Sequence, residues 1–141
     1  MRILISACLL GLCCRYDGAA KPCRAALNLA GRHELVPVCP EQLGGLPTPR
    51  TPCERVGEQV VSRDGEDRTA AYVLGAEQAE KLLRQLGCGC AVLKARSPMC
   101  GKGQVYDGTF SGTLRPGDGV LAGRLLKKGI PVYTEDEADS L

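Results

Sequence analysis

Four short apolar runs punctuate the chain, and stretches with helical spacing separate them. The runs are ILISA (3–7), ELVPV (34–38), CAVLKA (90–95) and IPVYT (130–134). The continuous run at the N-terminus reads as a strand buried on both faces. Helical spacing is expected over 21–30, 69–86 and 119–128. Strands that alternate with helices predict a parallel sheet covered on both faces, and right-handed crossovers restrict how it can be wound. The simplest strand order is 2-1-3-4: an α/β, Rossmann-like, doubly wound sheet of four strands. Sheets of this kind bind ligands at the carboxyl ends of their strands.

Local signals mark the element ends. Pro22 suits the first turn of a helix and Gly31 its end. Pro37 weakens the second strand or places it near an edge. Ala79, Leu82, Leu83 and Leu86 share one helical face, with Gly75 a candidate break and Gly87 the stop. Asp118 is a candidate N-cap for the last helix, which carries Lys127 and Lys128 in its final turn and Gly129 after it. EQVVSRDGED (58–67) reads as a small hairpin excursion with Asp64-Gly65 at its turn. The acidic end, EDEADS, reads as a solvated short helix or tail. With no repeat or linker in sight, residues 1–141 are expected to form one domain.

Composition narrows the chemistry. The net charge is +2, without a long basic run, and the aromatics are one Phe and four Tyr. Neither feature supports bulk nucleic-acid binding or a base-stacking platform. Cysteine is the anomaly: there are nine, an odd number that cannot pair completely. The opening MRILISAC imitates an export signal, but seven residues before Cys8 fall short of the roughly 15–30 such a signal needs. No apolar run is long enough to span a bilayer. The expected compartment is therefore cytoplasmic, where reduced thiols in quantity suggest metal or redox chemistry.

The positions of the cysteines matter more than their number. Cys8 ends the first strand, Cys39 ends the second, and Cys100 lies in the loop after the third, all on the carboxyl edge. Adjacent strands stand about 4.8 Å apart, so the three thiols can converge on a small iron–sulfur cluster or on zinc with an open fourth position. His33 is the only histidine and is expected at the surface, so His-rich sites are excluded. Glu41 and Ser97 arrive on the same loops, with acid–base and hydrogen-bonding capacity. Each residue taken alone also has a plain structural role: a packed thiol, a carboxylate accepting backbone N–H bonds, a turn serine. Cys88 and Cys90 are expected at the opposite edge. Lys94, Arg96 and Arg50 are candidates to attract an anion or to be simply solvated. The two Tyr-Asp-Gly segments (16–18 and 106–108) read first as turns. Gly101-Lys102-Gly103 lacks phosphate-loop spacing but offers a backbone nest.

Three stretches together carry a family likeness: ISACLLG with CRYDG, VPVCPEQLGGLPTPR, and LKARSPMCG with YDGTFSG. In this order, over nearly the whole chain, they resemble the thiouracil desulfidase family. The resemblance implies an oxygen-sensitive [4Fe-4S] cluster held by Cys8, Cys39 and Cys100. It implies an open iron that takes the thiocarbonyl sulfur of a thiolated uracil, and products of uracil and sulfide without net redox change. Carried over by position, Glu41 is the acid/base residue and Ser97 the active-site serine. Met99 stands where family members often carry a small polar residue, and is expected to alter the pocket. The implied substrate is a small thiolated pyrimidine, with a thiolated tRNA nucleoside as a further candidate. Two other readings stand beside this one: a non-catalytic metal- or cluster-binding sensing module, and a thiol redox enzyme.

Overall fold

Ile3, Leu4 and Ile5 are wholly buried, as expected of a central strand. In the computed structural model, which describes all 141 residues, β1 (Arg2–Ser6) lies between β2 (Glu34–Val38) and β5 (Cys90–Leu93), and β8 (Val132–Thr134) completes the sheet. The order is β2-β1-β5-β8 and all three pairings are parallel, which is the 2-1-3-4 arrangement. Pro37 lies on β2, an edge strand that pairs only with β1. A proline removes a ladder donor, so the edge is where it is tolerated.

Side chains alternate across the sheet, so each strand feeds two cores. Leu4, Ala91 and Leu93 face one side. There they meet α3 (Thr69–Gln85) through Tyr72, Ala76, Ala79 and Leu83, and α4 (Val120–Lys127) through Leu121 and Leu125. Ile3, Ile5 and Val92 face the other side, against Ala26 of α1 (Arg24–Asn28), Leu29 and Ala138. Burying each large aliphatic side chain contributes about 1.5–3 kcal/mol.

Several local expectations are corrected. Gly75 does not split α3: it lies inside the helix, buried, with the Pro40 carbonyl against it. Asp118 does not cap α4, because Gly119 holds that position and the Asp118 carboxylate accepts from the Gly103 N–H at 2.8 Å. The nest at 101–103 is thereby used internally. The hairpin is β3 (Cys53–Val56) with β4 (Gln59–Ser62), so its turn lies at Gly57-Glu58. Gly57 supplies a φ of 60° there, a conformation glycine adopts readily. Asp64-Gly65 forms the next turn instead. Two long loops also hold unforeseen elements. A short helix, α2 (Pro40–Leu43), follows Cys39, and a hairpin of β6 (Gln104–Tyr106) with β7 (Leu114–Pro116) follows Cys100. The acidic end is a 3-10 turn over Glu135–Ser140 that starts on a Thr134–Glu137 capping box and buries Ala138. His33 is half-buried, with Nε2 3.0 Å from the Leu141 carbonyl. No helix is long and apolar enough to cross a membrane, and all nine cysteines are free.

Candidate active site

At the carboxyl edge of the sheet, three strand ends open into one cavity of about 370 Å³. This volume lies at the small end of the range for small-molecule sites. Cys8, Cys39 and Cys100 all line it, and so do Glu41 and Ser97. The five residues singled out from the sequence therefore meet at one place.

Each arrives by a different local device. Cys8 sits in a 3-10 turn (Ala7–Leu10) that begins where β1 ends. Cys39 is the residue between β2 and α2, and Pro40 suits the first helical position because its missing N–H would have had no intrahelical partner. Glu41 follows on that first turn. Cys100 closes a tight turn after β5 in which the Ser97 hydroxyl accepts from the Met99 and Cys100 N–H groups at 3.1 and 3.0 Å. Ser97 thus orders the segment that carries Cys100, and its own O–H remains available toward the cavity.

The thiols are buried unevenly, and their acidity follows. Burial pushes Cys8 up to about 11, with Lys94 offsetting part of the effect. Burial also raises Cys100 far above its ordinary value, opposed in part by the Ser6 hydroxyl, which donates to the Cys100 sulfur at 3.5 Å. A metal group bound by these sulfurs would displace their protons. Cys100 is raised further by the nearby Cys8 and Cys39, and Cys8 by Cys39. Yet no three His, Cys, Asp or Glu side chains are set closely enough to hold a single metal ion. Three cysteines spaced around a cavity match the donor set of a larger, multi-atom iron–sulfur group.

Three residues of the site carry no sequence expectation, and a fourth, Arg50, takes a role other than the two expected of it. Ser6 is buried at the end of β1, where its oxygen accepts from the Lys94 N–H at 2.9 Å while its O–H reaches Cys100. Cys14 is buried in the cavity wall, its thiol pushed up to about 12 by burial and then by the charges of Cys39 and Cys8. Its carbonyl accepts from the Cys39 thiol at 3.6 Å. Arg50 is neither solvated nor free for an anion, since its side chain is 6% exposed. It donates to Glu41 Oε1 at 2.9 Å, the Cys14 carbonyl at 2.9 Å, the Pro47 carbonyl at 3.1 Å and the Thr48 hydroxyl at 2.9 Å. Burial opposes its charge, but the Glu41 carboxylate outweighs burial and holds its pKa above the ordinary value. Tyr72, from the buried face of α3, donates to the same Glu41 Oε1 at 2.9 Å. No local pattern marks Ser6, Cys14 or Tyr72, because their partners lie 25 to 94 residues away along the chain.

The other candidates from the sequence are placed as follows. Met99 is wholly buried in the core beneath α3, not in the cavity, so it does not shape the pocket wall directly. In the two Tyr-Asp-Gly segments the aspartates close turns, accepting from the Ala19 and Thr109 N–H groups, while Tyr16 and Tyr106 line the cavity. Lys94 is held by Glu135 at 3.0 Å. Arg96 lies at the rim, with a φ of 70°. Cys90 opens β5 at the opposite edge, with Cys88 just before it.

The family model for 2-thiouracil desulfurase matches residues 3–137. The chain belongs to this family. Among its relatives is YbbK of Bacillus subtilis (strain 168), described as uncharacterized, which is 36% identical over 99% of both chains. Among solved structures, the family is represented by the [4Fe-4S]-dependent thiouracil desulfidase TudS. That structure is 44% identical, with a TM-score of 0.90, over 99% of this chain and 94% of its own. At that similarity the two proteins share their fold, which in this chain is built on the parallel β2-β1-β5-β8 sheet.

Proposed function

We propose that this protein is an iron–sulfur-dependent desulfidase that converts a thiolated uracil and water to uracil and sulfide. The reading is carried by one observation: Cys8, Cys39 and Cys100 leave three neighbouring strand ends and line the same cavity as Glu41 and Ser97. The atoms balance without an oxidant or reductant. Water supplies the carbonyl oxygen that replaces the sulfur, and the sulfur leaves as hydrogen sulfide.

The three thiolates would hold a [4Fe-4S] cluster; when bound, it supplies an iron without a protein ligand, a Lewis acid suited to soft sulfur. The chain's own residues do the rest. Glu41 presents a carboxylate to the cavity with Oε1 already occupied by Tyr72 and Arg50. Oε2 is therefore the oxygen that takes a proton from the attacking water and returns it to the departing sulfur. Ser97 offers its hydroxyl to the ring or to that water. The cavity wall adds apolar surface from Val38, Pro40, Pro98 and Tyr106, which limits the water around the reacting carbon.

The small cavity favours a free thiolated pyrimidine or its nucleoside over a nucleoside buried in folded tRNA. The reading treats 1–141 as one desulfidase domain working in the cytoplasm, where thiols stay reduced. The test is anaerobic reconstitution with iron and sulfide, followed by turnover on uracils thiolated at ring position 2 or 4. Sulfide and uracil formed in equal amounts support the reading. A full cluster spectrum with no sulfide from either substrate would favour a sensing module. Turnover in the iron-free protein would favour thiol chemistry.

A further inference from the structure

Glu41 is 16% exposed through its side chain, and one of its oxygens does double duty. Oε1 accepts from Tyr72 Oη and from Arg50 Nε, each at 2.9 Å. The donors come from different elements. Arg50 belongs to the loop after α2, and Tyr72 projects from α3 with 1% exposure. Two fixed donors on one oxygen leave the carboxylate little rotational freedom.

We propose that Tyr72 is a positioning residue for the reaction: its hydroxyl, together with Arg50, locks the Glu41 carboxylate so that Oε2 faces the substrate. The inference rests on the role given to Glu41 above. Tyr72 itself touches no reacting atom. The surroundings of the hydroxyl support a directed donor. The Tyr72 ring shares its core with Ala76, Ala79, Leu83 and Met99 while its hydroxyl reaches Glu41 at the cavity, and a buried phenol needs such a partner. Burial, followed by the nearby Glu41 and Cys53 charges, drives the Tyr72 pKa far upward. The phenol therefore keeps its proton and stays a donor at every pH at which the protein works. A tyrosine that only filled space could be phenylalanine. The hydroxyl adds a bond to one chosen oxygen of one carboxylate.

The test is a double-mutant cycle of Tyr72→Phe and Glu41→Gln in the anaerobically reconstituted protein, with turnover normalised to iron content. Tyr72→Phe is expected to lower kcat about 10- to 100-fold, the scale of a misplaced catalytic group, while KM and the visible cluster spectrum stay unchanged. In the double variant the Tyr72→Phe loss should vanish, because there is no longer a working Glu41 to misalign. A crystal structure of Tyr72→Phe without the cluster supplies a readout independent of turnover: the Glu41 carboxylate should be rotated or split between rotamers. Three results overturn the inference while leaving Glu41 in place: full kcat in Tyr72→Phe, losses that multiply in the double variant, or an unmoved Glu41. Full turnover in Glu41→Gln overturns the reading of Glu41 itself, and this inference with it.

Discussion

The carbonyl oxygen of Pro40 rests directly on Gly75. A Cβ built on Gly75 would stand 2.0 Å from that oxygen and 3.1 Å from the Met99 terminal methyl. The contact joins the middle of α3 to the first residue of α2, the turn that carries Cys39 and Glu41. A mirror contact sets Gly44 against the Ala71 carbonyl, also with 2.0 Å available to a Cβ. The site is thus seated on α3 by two glycines that let backbone meet backbone.

Gly75→Ala gains helix propensity, by about 1 kcal/mol, yet it is expected to destabilise the protein. Backbone cannot move aside as a side-chain tip can, and overpacking of this kind typically costs about 1–3 kcal/mol. The displaced α2 should also carry Cys39 away from its partners. Thermal unfolding of the cluster-free protein and iron content after reconstitution check both effects, and both should fall.

Arg50→Met removes the planar donor that ties Glu41, Cys14 and its own loop together. It leaves a largely buried carboxylate with Tyr72 alone, a loss that in buried pairs amounts to about 3–5 kcal/mol. Arg50→Lys should recover little of this, since an ammonium cannot reproduce the fork. Denaturant midpoints of the two variants beside the parent protein provide the check.

Ser97→Ala deprives the Met99 and Cys100 N–H groups of their shared acceptor. The expected first effect is poorer iron retention, as the Cys100 turn loosens by about 1 kcal/mol. Ser97→Thr keeps the oxygen and should restore retention. Timed iron release to a chelator distinguishes the variants.

Glu80 gives the fold an acid-sensitive staple away from the site. Its carboxylate joins Lys128, Arg84 and Arg124, bridging α3 to α4. The Lys128 bond, followed by those of Arg84 and Arg124, lowers its pKa from 4.5 to about 2. A depressed folded-state value means stability that is fully present above pH 4.5 and lost as the pH falls toward 2. Glu80→Gln should therefore melt below the parent protein at pH 7, and the gap should close as the pH drops through that window. Melting curves across pH 2–7 measure it.

How much of this was legible beforehand depended on range. ILIS, ELVPV and CAVL announce strands through their own composition, and cysteines at or just beyond the ends of those runs had to share an edge once the sheet was parallel. Cys8, Cys39 and Cys100 could thus be placed without coordinates. Tyr72 and Glu41 are 31 residues apart, and Ser6 and Cys100 are 94 apart. Nothing local to a tyrosine on a helix face says that its hydroxyl will find a carboxylate. Asp64-Gly65 carries the turn signal, but strand pairing of Cys53 with Ser62, not turn chemistry, closes the hairpin at Gly57-Glu58. Arg50 reads as a surface residue in a proline-rich loop until Cys14 and Cys39 are brought beside it.

The central claim is that three thiols from three strand ends hold one cluster and leave one iron for sulfur. Mössbauer spectroscopy of the anaerobically reconstituted protein, with and without a thiolated uracil, tests it most directly, using Cys8→Ser, Cys39→Ser and Cys100→Ser as comparisons and the exposed Cys13→Ser as a control. The account predicts a four-iron signal in the parent and in Cys13→Ser, one iron of which changes when substrate is added, and a lost or degraded signal in each of the three variants. A four-iron signal that survives removal of any of these cysteines, or that ignores the thiolated substrate, would contradict it.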